Sequence, residues 1–181
     1  MRIYLDHNAT TPTAPQVVDE VARVARQCWG NPSSVHHFGQ QAKAALDEAR
    51  GQVARLLGAD PSEVVFTAGG TESNNAAIRG AAEALDGSGR RHLVTTAIEH
   101  EAVLNTVKAL ARRGWRVTVV PVDASGVVSP AQVAEAIADD TALVSVMHAN
   151  NEIGTIQPIA AIAEIARARG ALMHTDAVQT S

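Results

Sequence analysis

The chain has 181 residues, 46% of them apolar and 19% charged, a balance that excludes disorder and suits a globular domain with a substantial core. The formal net charge of −4, without a run of Lys or Arg, excludes a basic nucleic-acid-binding surface. No apolar stretch reaches the roughly 18 residues of a membrane span and no secretory signal begins the chain, so we expect a cytoplasmic protein without membrane contact. The single cysteine, Cys28, excludes an intrachain disulfide.

The first part of the chain predicts two helices. Pro15 opens a helix that runs to about Trp29, with valines along one side. The Gly- and Pro-containing segment 30–34 interrupts it. A second helix runs from about His37 to Leu57 and ends at Gly58, a residue type that commonly stops helices.

From residue 64 onward, short apolar runs alternate with helical patterns. Ser129, Pro130 and Gln132 predict a helix start with a capping box. Strands rich in Val and Leu, alternating with helices, predict an α/β fold with a mostly parallel sheet flanked by helices. The expected strands are 64–67, 93–96, 116–120, 143–147 and 171–174, and the expected helices are 71–85, 101–113, one from 129, and 159–169.

Ligands of such sheets bind at the carboxyl ends of strands, so the residues that follow each strand were compared. The first expected strand leads into Gly69, Gly70 and Thr71 at a helix start, where free N–H groups and close backbone approach would suit a phosphate. The alternative is a tight turn capped by Thr71. The segment lacks the GK[ST] of a P-loop and the third glycine of a dinucleotide fingerprint.

Three further strand ends carry polar side chains. His100 could stack on a planar ring or transfer protons, or simply cap a helix. Asn150 and Asn151 could donate hydrogen bonds to a planar oxygen, or form a turn. Asp176 next to apolar residues would need a cationic partner if buried, or would cap a helix at the surface. Together these groups suit pyridoxal phosphate, whose pyridinium nitrogen a carboxylate keeps protonated.

Six stretches, in order, resemble the NifS/IscS group of cysteine desulfurases, members of the class V aminotransferase superfamily. The resemblance covers essentially the whole chain. The stretches are YLDHNATTP (4–12), GNPSSVHHFG (30–39), VVFTAGGTESNN (64–75), IEHEAV (98–103), VSVMHANNEIGTIQ (144–157) and HTDAVQ (174–179).

The resemblance implies a pyridoxal 5′-phosphate site in the large domain of a PLP-dependent, aminotransferase-like transferase. Its implied roles are as follows: Gly70 and Thr71 hold the phosphate, His100 stacks on the ring and assists proton transfer, Asp176 pairs with the ring nitrogen, Gln179 bonds the phenolic oxygen, and Asn151 contacts the cofactor or the substrate carboxylate. Some relatives have alanine in place of Gly70, a change that we expect to be harmless.

Other family residues have no counterpart here. The lysine that forms a Schiff base with the cofactor lies beyond the HTDAVQ motif in the family, as do the persulfide cysteine and the small C-terminal domain. The chain has two lysines, Lys43 and Lys108, both in predicted helices, and Cys28 lies in the first helix. We therefore expect an incomplete large domain: 1–30 as a helical segment near the active-site entrance and 31–181 as the N-terminal part of the cofactor-binding domain.

The implied function of the complete protein is removal of sulfur from L-cysteine, giving L-alanine and an enzyme persulfide for iron–sulfur cluster assembly or tRNA thiolation. The resemblance also implies a homodimer and a sulfur-acceptor protein, such as an iron–sulfur scaffold, as partners. Alone, the chain is expected to be inactive, to bind the cofactor non-covalently at best and to need the missing C-terminal half. The alternatives are a non-catalytic module that binds the cofactor or a partner, and another class V enzyme, such as a selenocysteine lyase or an aminotransferase.

Overall fold

A computed structural model describes residues 1–180 in two units, Met1–Phe66 and a second that begins at Thr67. The division expected at residue 30 concerns functional segments and stays a prediction. In residues 1–180, no helix is both long and apolar enough to cross a membrane.

The first unit contains two α-helices and one 3₁₀ turn. Helix α1 spans Pro15–Gln27, with its proline in the first turn, and helix α2 spans His37–Leu57 with the predicted bounds. Gly58 ends α2 in the left-handed conformation, at φ +65°, which explains the glycine there. The 3₁₀ turn Pro61–Glu63 follows, closed by a capping box between Asp60 and Glu63.

The strand expected at 64–67 does not form, so this prediction was wrong. The segment is strand-like in composition, but it pairs with no strand among the described residues. Val65 is 78% exposed, and the Arg50 guanidinium lies 5.1 Å from the centroid of the Phe66 ring. Strand propensity reflects packing against neighbours, and without a neighbour it does not make a strand.

The second unit is a four-stranded parallel sheet with helices. Its strands are β1 (His92–Thr96), β2 (Arg116–Val120), β3 (Thr141–Ser145) and β4 (Leu172–His174). Their order is β2-β1-β3-β4, and every adjacent pair is parallel. The predicted α/β class with a mostly parallel sheet is therefore confirmed.

Helices connect the strands as predicted, with small shifts at the ends. They are α3 (Gly70–Leu85), α4 (Glu101–Arg112), α5 (Pro130–Ala136) and α6 (Ile159–Ala168). The capping box expected at Ser129 was wrong, since its side chain makes no cap bond. Pro130 in the first turn and a 3.1 Å bond from Val133 N to the Ser129 carbonyl start α5 instead.

Two apolar clusters cover the two faces of the sheet, because successive strand residues point to opposite sides. Leu93 and Leu143 belong to the cluster formed with α3 and α4. Val94 and Val144, one residue further along each strand, belong to the cluster formed with α5 and α6. The central strands are thus buried on both faces, as their continuous apolar sequences predict.

Candidate cofactor site

The site lies where the chain changes direction across the sheet. After β1 the chain crosses to β2 on one side, whereas β3 and β4 lie on the other side. Open α/β sheets bind ligands outside the carboxyl ends of strands at such a switch point. The segments that follow β1, β3 and β4 contain the predicted residues His100, Asn151 and Asp176 respectively.

The N-terminus of α3 forms a shallow depression of about 600 Å³, lined by residues 68–72 and Asn75. Gly69 occupies the cap position and no side chain caps the helix, so the first turn keeps its N–H donors and its positive dipole end. The Glu72 carboxylate folds back to accept a 2.7 Å bond from Ala68 N. One backbone N–H beside the helix start, that of Ala68, thus binds an anionic oxygen, and the first-turn N–H groups of α3 remain the donors that a phosphate cradle requires.

Gly70 is more constrained than the sequence indicates. A Cβ atom at this position would lie 2.8 Å from Cγ2 of Val178, closer than carbon atoms pack. Alanine here would require the exposed Val178 side chain to move, and the expectation that the change is harmless stays a prediction. The glycine allows the segment after β4 to approach the helix start.

Asp176 is 8% exposed and both of its carboxylate oxygens accept hydrogen bonds. Oδ2 accepts from Asn74 Nδ2 at 2.7 Å, and Oδ1 accepts from Val178 N at 3.1 Å. The carboxylate is therefore held in one orientation next to the start of α3. The structure favours the buried interpretation of Asp176 over a surface helix cap.

His100 caps α4, and its ring also lines a depression that it shares with Thr71. The ring nitrogen Nδ1 accepts a 3.1 Å bond from Ala102 N, so a neutral ring carries its proton on Nε2. Thr71, Asn75 and His100 line one depression of about 400 Å³ that runs along α3 and α4 as far as Arg79 and Arg112. The capping role of His100 is thus observed, and its stacking on a cofactor ring stays a prediction.

The two asparagines after β3 differ in role. Asn150 is buried and bonds within the turn and to the Ile98 carbonyl at 2.9 Å. Asn151 is half-buried, and Gln179, after β4, is exposed. Their predicted contacts with a cofactor stay predictions.

Two buried residues of the site were missed by sequence reasoning. In the sequence, Asn74 is one residue of the family-like stretch 64–75, and Glu99 is an acidic neighbour of His100. Glu99 is 5% exposed and accepts bonds from Thr96 Oγ1 at 2.6 Å and Met147 N at 2.9 Å. Burial raises its pKa to about 7. An acidic residue and a histidine directly after a strand could have indicated Glu99 as a site residue. The sequence does not show, however, that this carboxyl group is buried.

The donor set suits a phosphorylated pyridine. An uncapped helix start suits a phosphate, and a buried carboxylate that accepts two hydrogen bonds suits a ring cation. The His100 imidazole lines the same depression as Thr71. Among residues 1–180, no cluster of His, Cys, Asp and Glu could hold a metal ion. The residues present therefore fit pyridoxal phosphate.

The aminotransferase class-V family model matches residues 3–181, and the chain belongs to this family. It is 47% identical over 178 residues to a cysteine desulfurase IscS of Dictyoglomus turgidum, covering 98% of this chain and 45% of that protein. A solved NifS-like protein is 43% identical with a TM-score of 0.95, over 99% of this chain and 50% of that one. The solved structure described as SspA in complex with cysteine is 42% identical with a TM-score of 0.90, over 95% of this chain and 49% of that one.

These comparisons confirm the resemblance and the fold class. The chain spans about half the length of the relatives it matches. One of these relatives is named a cysteine desulfurase and another a NifS-like protein, and both names agree with the expectation for the complete protein.

Proposed function

We propose that the chain is the N-terminal part of the cofactor-binding domain of a cysteine desulfurase. The complete protein would convert L-cysteine to L-alanine and leave a persulfide on its own cysteine. The observation that carries the proposal is the buried Asp176, bonded to Asn74 of the helix whose start forms the phosphate cradle. One hydrogen bond thus connects the group that would hold the ring nitrogen with the element that would hold the phosphate.

Each site residue has a role in this proposal. Gly70 and Thr71 hold the phosphate through the start of α3, and Asp176 holds the protonated ring nitrogen. His100 stacks on the ring and presents Nε2–H, because its Nδ1 accepts from Ala102 N. When bound, pyridoxal phosphate supplies an electron sink for the substrate carbon.

Asn151 and Gln179 complete the proposed site. They follow β3 and β4, and we assign Gln179 to the phenolic oxygen of the ring and Asn151 to the same side of the cofactor or to the substrate carboxylate. The substrate assignment is supported by the relatives' names and by the solved relative described in complex with cysteine. A homodimer, an acceptor protein for iron–sulfur assembly or tRNA thiolation, and the cytoplasm as compartment belong to the same proposal.

Alone, the chain is proposed to bind the cofactor non-covalently and not to turn over cysteine. Lys43 lies within α2 and pairs with Asp47 at 2.7 Å, and Lys108 is an exposed residue within α4. Neither follows a strand. The predicted segments 1–30, near the site entrance, and 31–181, as cofactor-binding domain, remain part of this proposal.

Equilibrium dialysis of the purified chain with pyridoxal phosphate tests the site. We expect Asp176→Asn to weaken binding about tenfold or more, because the amide cannot stabilise a ring cation and one tenfold step corresponds to about 1.4 kcal/mol. Asp139→Asn, an exposed aspartate before β3, is the matched control. Pyridoxal without its phosphate should bind more weakly, and equal affinity for both ligands contradicts the cradle.

Covalent attachment and turnover are tested separately. After incubation with pyridoxal phosphate and borohydride reduction, intact mass should show no pyridoxyl group on Lys43 or Lys108. Alanine production from L-cysteine should be absent. A single adduct on either lysine, with alanine release, overturns the proposal that the chain alone is inactive.

A further inference from the structure

Glu99 connects two segments of the site. It follows β1, and its Oε1 accepts from Thr96 Oγ1 at 2.6 Å and from Met147 N, after β3, at 2.9 Å. A second bond crosses in the same place, from Asn150 Nδ2 to the Ile98 carbonyl at 2.9 Å. These two bonds join the ends of β1 and β3 at the switch point of the sheet.

The residues next to these bonds are the ones assigned to the cofactor. Glu99 directly precedes His100, the cap of α4, and Asn150 directly precedes Asn151. The backbone positions of both site residues therefore depend on the connection between the two segments. A side chain that acts in this way positions the site without touching the reacting atoms.

The second oxygen of Glu99 has an unusual environment. Oε2 is buried and has no hydrogen-bond partner among the described residues. A buried charged oxygen without a donor costs more free energy than a buried neutral O–H without an acceptor, so the protonated form is the less costly one. The two bonds that Oε1 accepts leave Oε2 as the oxygen that carries the proton.

The surrounding groups favour the neutral form. Burial raises the pKa of Glu99 to about 7, the bonds from Thr96 and Met147 oppose this, and the charge of Asp176 adds to it. His174, on β4, offers no compensating cation, because burial lowers the pKa of its imidazole. Asp176 is the charged group in the described chain that acts on Glu99.

We propose that Glu99 is a positioning residue of the cofactor site, which as a neutral acid ties the end of β1 to the end of β3 and adds no second negative charge beside Asp176. This inference rests on the proposed function for the identity of the ligand. The neutral state of Glu99 does not depend on it. An ionised Glu99 would be repelled by Asp176 and would leave a charged oxygen buried without a donor.

The protonation state is tested on the purified chain without cofactor. Infrared difference spectra of wild type against Glu99→Gln at about pH 6, below the raised pKa of Glu99, should show one protonated carboxyl C=O band that the variant lacks. Glu83→Gln, an exposed residue of α3, should leave the band in place. Absence of a band that depends on Glu99 overturns the neutral-acid assignment.

The pH dependence of stability gives a second measurement. The folded pKa of Glu99 is above the unfolded one, so its contribution is full below about 4.5 and declines as the pH rises to about 7. Urea midpoints from pH 5 to 8 should therefore rise for Glu99→Gln relative to wild type as the pH increases. A difference that stays constant across this range contradicts the proposal.

Cofactor affinity separates positioning from general stability. Glu99→Ala should weaken pyridoxal phosphate binding on the order of tenfold, and Glu99→Gln should recover most of that loss, because the amide keeps an acceptor and a donor. If both variants weaken cofactor binding equally, Glu99 does not act as a neutral acid that joins the ends of β1 and β3. If wild type binds no cofactor, the proposed function fails, while the infrared and pH results still decide the state of Glu99.

Discussion

Asn74 Nδ2 donates a 2.7 Å hydrogen bond to Oδ2 of Asp176, although the two residues are 102 positions apart in the sequence. Both side chains are buried. Asn74 lies on α3 and Asp176 follows β4, so this bond fastens the helix that bears the phosphate cradle to the sheet edge that bears the carboxylate. The distance between the two halves of the proposed site is set by this contact.

Replacing Asn74 by alanine should destabilise the chain and weaken the cofactor site. The change leaves Oδ2 of a buried carboxylate without its donor, which costs about 1–3 kcal/mol and more for charged groups. Urea unfolding gives the stability and dialysis the affinity for pyridoxal phosphate. Asn105→Ala, an exposed residue of α4, controls for the helix propensity gained with alanine. If Asn74→Ala is as stable as that control, the hydrogen bond between Asn74 and Asp176 does not stabilise the fold.

At the opposite end of the sheet, His92 connects three strands. Its ring is fully buried, Nδ1 lies 2.7 Å from Thr141 Oγ1, and Nε2 lies 2.9 Å from Thr118 Oγ1. Burial lowers the pKa of His92, the charge of Arg116 adds to this, and Asp140 opposes it. The folded state thus favours the neutral form of the His92 imidazole.

His92 should therefore make a contribution to stability that is lost in mild acid, opposite in sign to the contribution of Glu99. Because the folded pKa of His92 is below the unfolded value of 6.5, the unfolded chain binds the proton first, and unfolding becomes easier as the pH falls below about 6.5. His174, with a pKa lowered by burial, acts in the same direction. The difference in unfolding free energy, His92→Gln minus wild type, should increase as the pH falls from about 8 to 5, because the variant lacks the buried imidazole. Identical slopes for the two proteins would show that His92 is not the group that titrates.

The sequence predicted elements whose signals are local. Helix α2 has the predicted bounds because Gly58 can adopt φ +65° at its end, and β2 has the predicted bounds as well. The expected strand at 64–67 failed because pairing is not local, and Val65 has no neighbour to pack against. The pattern of apolar residues indicates which side chains prefer burial. Strand formation also needs a neighbouring strand, which composition does not predict.

The candidate site shows the same division. Asp176 and His100 could be singled out because each follows an apolar strand, and the switch-point rule then brings their segments together. Asn74 and Glu99 could not be ranked, because their importance arises from burial and from bonds to residues 102 and 48 positions away. Long-range partners of this kind are set by how α3 and the strand ends pack, which residue types alone do not specify.

Gly70→Ala should destabilise the chain through one identifiable clash. The new Cβ would lie 2.8 Å from Val178 Cγ2, and such overpacking costs about 1–3 kcal/mol when neighbours cannot move. Val178 is 61% exposed, so it can turn partly aside, and we expect a cost near the lower end. Combining Gly70→Ala with Val178→Ala should recover most of the loss in urea unfolding. Additive losses would mean that the clash is not the cause.

Gln157 closes one of the family-like stretches, yet its contacts are structural. It is buried, its Nε2 donates to the Gly126 carbonyl at 2.8 Å, and its Oε1 accepts from Val128 N at 2.9 Å. The side-chain amide thus pairs with both a donor and an acceptor of the 126–128 segment. The backbone N–H of Gln157 donates to the His148 carbonyl at 2.8 Å.

Gln157→Ala should therefore lower stability by about 1–3 kcal/mol, because the buried Val128 N loses its acceptor and the Gly126 carbonyl keeps only the 3.3 Å bond from Thr155 Oγ1. Gln132→Ala, an exposed residue of α5, should change stability by less than about 0.5 kcal/mol. Pyridoxal phosphate affinity, measured where both proteins remain folded, should be nearly the same as in wild type. Asn74→Ala, by contrast, should lower both quantities, since its partner is the carboxylate of the site. If Gln157→Ala instead weakens cofactor binding while stability holds, the boundary of the site must be extended to the segment after β3 as far as residue 157.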